Sequence, residues 1–417
     1  MGYLYKETGD YSKSVEYYRK AIELFDGDAG VWLGLGDAYY FLDNYDKAME
    51  CYNRAIELAP KVARTWNDIG IIHYNRRNYD KAAEYHQRAV ELIPKYAWAW
   101  NNLGDDYMGL NDYKKATECY QKAIEFNIND ASPYHHLAEA YAYSGDIPKA
   151  MDTLRKNVEL YPKDKWAWYN LGEGYSGQGQ PEKALDHYKK ALEIDPKYAW
   201  SYVGIGNLYK NANNYDKTIE CYQKAVEILP DNATIRNKFA NLYYEMKNYN
   251  AALENYQKTI ELDPKNATYW DNCGDTWRAL ENTDKAIECY QKAIEINPKY
   301  ASAWRNLGNT YKNLKNYDKA IECHQKSVDL NPKSSRAWFD FGVTYAKFNK
   351  DEKATVCFTK SIELDPKNAW SWAYIGLILS RHEMYKESLQ AFDKALELAP
   401  DNKAIQNSRK EVLEKMN

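Results

Sequence analysis

The chain has 417 residues, with 56 basic against 60 acidic side chains and a formal charge of −4. Aromatic residues reach 15 %, including 40 Tyr and 13 Trp, far more apolar surface than a disordered chain carries. A mean hydropathy of −0.79 with no apolar run near the ~18 residues of a bilayer span excludes a helical membrane protein, and the charge balance excludes the basic footprint of a dedicated nucleic-acid binder.

The opening MGYLYKETGD lacks the basic and apolar regions of a secretory signal. Lys6 stands where a myristoylation signal wants Ser or Thr. A cytoplasmic location is the expectation. Six of the seven cysteines (Cys51, Cys119, Cys221, Cys289, Cys323 and Cys357) are spaced by multiples of 34. On successive units of an array they lie too far apart for disulfides, and without a CxxC pair no structural zinc site is expected.

Prolines mark the period. Pro60, Pro94, Pro162, Pro196, Pro230, Pro264, Pro298, Pro332, Pro366 and Pro400 share one lattice of 34, with Ile128 in the empty slot. Trp32, Trp66, Trp100, Trp168, Trp270, Trp304, Trp338 and Trp372 recur in phase with it, as do series of Gly, Tyr and Ala. Within a unit, Trp304, Leu307, Gly308 and Tyr311 have the spacing of one helix stripe, and Ala320, Ile321, His324, Ser327 and Val328 repeat the rhythm. Each unit therefore reads as two helices. A partial repeat fills 1–28. Eleven complete repeats follow over 29–402, starting at 29, 63, 97, 131, 165, 199, 233, 267, 301, 335 and 369, and a polar capping helix closes 403–417. Asn44, Asn78, Asp112, Asp146, Asn214, Asn248, Asn282 and Asn316 stand ready to cap each second helix. Pro148 and Pro181 fall in its first turn, where proline is tolerated. The weakest unit is 131–164: Pro133 enters its first helix, and Leu154 and Asn157 replace the usual aromatic and Ala. With the glycines Gly172, Gly174, Gly177 and Gly179 next door, 125–180 is expected to be the softest joint.

The order W-x2-LG-x2-Y, then A-x3-Y/F-x2-A, then P, at 34 residues, is carried in one unit by Trp304, Leu307, Gly308, Tyr311, Ala320 and Pro332. It closely resembles the tetratricopeptide repeat across essentially the whole chain. The resemblance implies an all-α, right-handed α-solenoid of helix-turn-helix repeats, with first helices lining a concave groove. A pentatricopeptide RNA reader would run at 35 and want basic faces.

No catalytic or phosphate-binding motif stands above background, so neither an enzyme nor a cofactor or metal site is expected. Histidines 73, 86 and 324 occupy packing slots; His135 and Glu139 share a helix face, a weak arrangement for a metal and a better one for a partner contact. The family's groove positions divide by sign. Asp37, Asp68, Asp105, Glu139 and Glu173 make an acidic half, with Arg64 the one basic residue in it. Lys238, Arg278, Arg305, Lys312, Arg336 and Lys347 lead a basic half, and such clustering focuses potential on charged partners. The same charges also suit ordinary solvated helix faces. Asn170, Asn207, Asn241, Asn272, Asn306 and Asn309 could clamp a peptide backbone, resembling in part the asparagine ladder of O-GlcNAc transferases. A chaperone-type carboxylate clamp is only suggested, because Asp340 holds a slot where Asn belongs. Trp98, Trp166, Trp200 and Trp370 are either groove anchors or packing residues.

The expected function is a non-catalytic protein–protein interaction scaffold whose groove takes an extended peptide or partner helix, with neither nucleic acid nor membrane as partner. Two alternatives stay open. One is the repeat region of a larger enzyme (a glycosyltransferase, kinase or methyltransferase); the other is self-association through the N-terminal end, where the first helix is about half length.

Overall fold

The computed structural model describes residues 1–126 and 130–416; the proline slot held by Ile128 lies outside them. Among the described residues the regular structure is entirely α-helical, and the chain falls into two compact units, Met1–Ala212 and Asn213–Asn417. The first unit begins with α1 (Gly2–Glu7), α2 (Tyr11–Leu24), α3 (Ala29–Tyr40), α4 (Tyr45–Leu58), α5 (Ala63–Asn75) and α6 (Tyr79–Leu92). It continues through α7 (Ala97–Gly109), α8 (Tyr113–Glu125), α9 (Ser132–Tyr143), α10 (Ile147–Leu160), α11 (Lys165–Gly177), α12 (Pro181–Ile194) and α13 (Ala199–Asn211). The second unit holds α14 (Tyr215–Ile228), α15 (Ala233–Glu245), α16 (Tyr249–Leu262), α17 (Ala267–Ala279), α18 (Thr283–Ile296) and α19 (Ala301–Asn313). Then come α20 (Tyr317–Leu330), α21 (Ser335–Lys347), α22 (Asp351–Leu364), α23 (Ala369–Arg381), α24 (Tyr385–Leu398) and α25 (Lys403–Met416).

Each unit is an α-solenoid of helical hairpins, because a two-helix hairpin cannot bury both its faces alone. Within a unit, successive first helices touch one another (α5 with α7, α17 with α19, α19 with α21), whereas contacts between successive second helices are at most marginal. The first helices therefore form a shared face. At the end of the second unit, Ile405 and Val412 of α25 are buried against Phe392 and Ala395 of α24.

The hairpin turn is compact for a reason the side chains do not advertise. Asn44 N–H donates to Tyr39 O at 2.9 Å and Asp43 N–H to Tyr40 O at 3.0 Å, the paired bonds of a Schellman ending. Asp43 accordingly has φ = 56°, and Arg77, Asn111, Lys247, Glu281 and Lys315 sit at 58–60°. Asn44 then caps α4 by accepting from Lys47 N–H at 3.3 Å, and Asp112, Asp146, Asn248, Asn282 and Asn316 do the same at their helices. Asn78 occupies the cap position without a side-chain bond.

Two of the periodic series are linked by a hydrogen bond. The indole N–H of Trp66 donates to Pro60 O at 2.9 Å, and Trp100, Trp168, Trp270, Trp304 and Trp338 do likewise to the proline six residues earlier, at 2.8–3.0 Å. Each tryptophan fastens its first helix to the end of the preceding second helix. Trp32 makes the same bond to Asp26 O at 2.7 Å, and Trp372 departs from the pattern, with its indole nitrogen buried and unpaired. The lattice glycines make room for rings: a Cβ at Gly104 would lie 2.4 Å from the Tyr120 ring, and one at Gly36 2.4 Å from Tyr52. The seven cysteines are free thiols; six are buried, and burial pushes Cys51, Cys119, Cys323 and Cys357 up to about 12.

Candidate functional site

The buried tyrosines carry their hydroxyls through to the first-helix face. Tyr52 donates to Asp37 Oδ1 at 3.0 Å and Tyr120 to Asp105 Oδ1 at 2.7 Å, while Tyr188 donates to Glu173; in the second unit Tyr256 donates to Asn241 and Tyr290 to Asp275 Oδ1 at 2.6 Å. The offset is fifteen residues each time. Where the ring is phenylalanine the partner position is apolar: Val343 lies fifteen before Phe358, and Leu377 fifteen before Phe392. A phenol buried on a close-packed hairpin needs an acceptor, so these polar groups on the face are partly fixed by the interior.

The acidic half is strongly engaged. Asp37 is 5 % exposed and also binds Lys6 at 3.0 Å and Arg64 at 2.7 Å. Asp68 meets Arg64 at 3.4 Å and Asn67 at 3.3 Å; burial and the charge of Asp37 push it up to about 6. Asp105 takes His136 Nδ1 at 3.0 Å, and although burial opposes charge on that imidazole, the bond to Asp105 raises it above its usual value. Glu173 is exposed beyond its Tyr188 bond. Glu139 differs: Leu154 occupies the position of its tyrosine, and the exposed carboxylate makes no hydrogen bond or ion pair among the described residues, though its charge acts on nearby His136. His135 pairs with Asp164 rather than with Glu139, and its ring lies 4.1 Å from that of Trp166. No cluster of metal-ligating side chains occurs among the described residues.

The asparagines serve as bridges between neighbouring first helices. Asn102 Nδ2 donates to Asn67 at 2.9 Å, Asn272 Nδ2 to Asn237 at 3.2 Å, and Asn306 Nδ2 to Asp271 at 3.0 Å. All three span 35 residues, one repeat plus one position. Asn272 also approaches Asn241 at 3.5 Å, and Asn309 donates to Asp340 at 2.9 Å. Asn170 donates back to Trp166 O at 2.9 Å, and Asn207 lies half-buried on α13. Amide donors used this way order the face; the side-chain oxygens of Asn241, Asn306 and Asn309 are likewise taken, by Tyr256, Arg305 and Lys312, which leaves the charged neighbours for a ligand.

The basic side chains of the second unit fall into two groups. Arg278 is held by Asp275 at 2.8 Å and Tyr290 at 3.2 Å, and Arg305 by Asn306 at 3.1 Å with Asp340 at 3.7 Å. Lys238, Arg336 and Lys347 make no ion pair among the described residues, and the last two are exposed on α21. Lys312 sits between the groups. Its ammonium donates to Asn309 at 2.6 Å; burial pushes it below its usual value, Asp340 opposes that shift, and Lys347 and Arg278 add to it. Two further first-helix acids are buried: Asp271, pushed up to about 7 by burial and then by Asp275, and Asp106, pushed up to about 6 by burial beside His86 Nδ1 at 2.5 Å. Both lie on first helices at positions where a carboxylate reads as solvent-facing. Trp98 is 50 % and Trp370 45 % exposed, leaving half of each ring available.

Profiles of the tetratricopeptide repeat match residues 1–26, 29–62, 61–129, 166–198, 197–265 and 231–299, together more than half of the chain. Residues 269–405 match the profile of the cilia and flagella-associated protein 70 C-terminal domain. No curated protein shows significant sequence similarity to the chain. Among solved structures, the APC/C hetero-tetramer Cut9-Hcn1 aligns over 99 % of this chain and 95 % of its own, at 14 % identity and a TM-score of 0.50, a likeness of fold. Yeast Tom70 aligns over 92 % and 94 % at 15 % identity with a TM-score of 0.49, and MamA over 41 % and 93 % at 28 % identity with a TM-score of 0.36. No helix among the described residues is long and apolar enough to cross a membrane. By the recurrence of its motif along the chain, the helical hairpins it builds and the repeat-profile matches over more than half of its length, the chain belongs to the tetratricopeptide-repeat family.

Proposed function

We propose that this chain is a non-catalytic scaffold and that the face of α19 and α21 captures an acidic, extended segment of a partner protein. Tetratricopeptide repeats generally mediate protein–protein interaction. The observation that carries the finer reading is the positive cluster around Lys312: Lys347 and Arg278 press on it, and the acid that offsets them, Asp340, is shared with Asn309 and Arg305. An incoming carboxylate would relieve that repulsion, and the exposed Arg336 and Lys347 would steer it. Asn241, Asn272, Asn306 and Asn309 would then act by fixing the helices that present the charges.

The test is binding of a fluorescein-labelled peptide of alternating Glu and Gly by the whole chain and by Arg336→Glu/Lys347→Glu. These two side chains hold nothing else in place, whereas reversing Arg278 or Arg305 would also strip Asp275 or Asn306 of a partner. The expected result is a loss of about tenfold or more in affinity with unchanged helicity. Equal binding by both proteins would remove the basic face as the capture site.

A further inference from the structure

A cavity of about 750 Å³ opens in the first unit among α9, α10 and α11. It exists because two ordinary fillers are missing. Leu154 stands where other hairpins carry a tyrosine, phenylalanine or histidine ring, and Gly177 has no side chain: a Cβ there would meet nothing within 4 Å. The floor is apolar, with Met151 2 % and Leu154 5 % exposed, while the rim presents Tyr143 at 61 % and Ile147 at 41 % exposure. Neighbouring Gly174 admits Met151, whose sulfur lies 2.0 Å from where a Cβ would be.

The polar chemistry at the mouth has one sign. Glu139 and Glu173 both line it, and no cationic side chain does. Glu139 makes no hydrogen bond or ion pair among the described residues, its charge acting on His136 from a distance, for the same reason that the cavity is open: the tyrosine that would fill one and bind the other is absent. The amides of Asn170 and Gln178 complete the polar lining, the former with one N–H already given to Trp166 O. Trp166 and Tyr143 add aromatic faces that attract cations. The volume lies in the range of preformed ligand sites and exceeds what one basic side chain fills.

We propose that this cavity receives a basic, amphipathic peptide segment of a partner protein, seating apolar side chains on Met151 and Leu154 and a Lys or Arg between Glu139 and Glu173. The site is opposite in charge to the α19–α21 face and does not depend on it.

The probe is a fluorescein-labelled dodecapeptide of Leu-Leu-Arg units, titrated by anisotropy into the whole chain at physiological salt, with a control in which Glu replaces every Arg. The expected dissociation constant is on the order of 1–50 μM, at least about tenfold tighter than the control. Glu139→Lys should weaken binding about tenfold or more. Leu154→Tyr should do the same by refilling the cavity and capping Glu139, and Gly177→Leu fills the mouth from open space should the tyrosine not be accommodated. The proposal is overturned by no binding of the Arg peptide below about 100 μM, by equal binding of the control, or by wild-type affinity in a folded Glu139→Lys or cavity-filling variant.

Discussion

Oδ1 of Asp275 is held from two sides, by the Tyr290 hydroxyl at 2.6 Å and by Nη2 of Arg278 at 2.8 Å. The ring that fills the hairpin interior thereby sets the position of a carboxylate and a guanidinium on the first-helix face. Packing and surface chemistry are coupled through a single phenol.

Tyr290→Phe removes that donor and leaves the ring. Loss of one hydrogen bond to a partly exposed carboxylate should cost about 1 kcal/mol. Urea unfolding should show the midpoint fall, with Phe358→Leu, which empties volume, falling further. No change in midpoint would mean that the hydroxyl contributes nothing.

His324 is fully buried with both ring nitrogens unpaired, and burial, then Lys312 and Arg305, push it down to about 3. It occupies a tyrosine position, fifteen residues after Asn309. His324→Tyr should raise stability by about 1 kcal/mol at pH 7, since an unsatisfied buried group is replaced by one that finds an acceptor. Calorimetry giving a lower Tm would show that the imidazole is paired in solution.

Asp271 supplies a pH dependence. Its folded pKa of about 7, raised by burial and then by Asp275, lies above the ~4 of an unfolded chain. Between those values the native state holds the extra proton, so stability falls as pH rises through this window. Asp271→Asn keeps an oxygen for Asn306 and should add on the order of 2 kcal/mol at pH 8, with the gain vanishing near pH 4. Parallel stability curves across that range would contradict it.

Lys315 is exposed at φ = 59°. Left-handed backbone costs a side-chain-bearing residue about 1 kcal/mol, which Gly escapes, so Lys315→Gly should stabilise by about 0.5 kcal/mol. A destabilisation in chemical unfolding would mean the turn is not strained.

The helix pairs were legible because the periodic residues act locally: Asn44 caps its own helix, and Gly104 makes room for a ring in its own hairpin. The phase shared by Trp304 and Pro298 was visible as spacing, but not as an indole-to-carbonyl bond. Less of the candidate site could be read. The 35-residue bridges from Asn272 to Asn237 and from Asn306 to Asp271 depend on how one hairpin is rotated on the next, which spacing alone does not encode. The turn at Lys315 was hidden because no glycine marked it. Leu154 was recognised as a departure from the repeat; that its absent ring both opens a cavity and frees Glu139 emerged only from the packing.

Hydrogen exchange on the whole chain saturated with the Glu-Gly peptide tests the scaffold reading most directly. Slowed exchange confined to α19, α21 and their turns, and lost in Arg336→Glu/Lys347→Glu, is the predicted footprint. Protection that falls on second helices such as α18 and α20, or that survives the double reversal, would contradict the account.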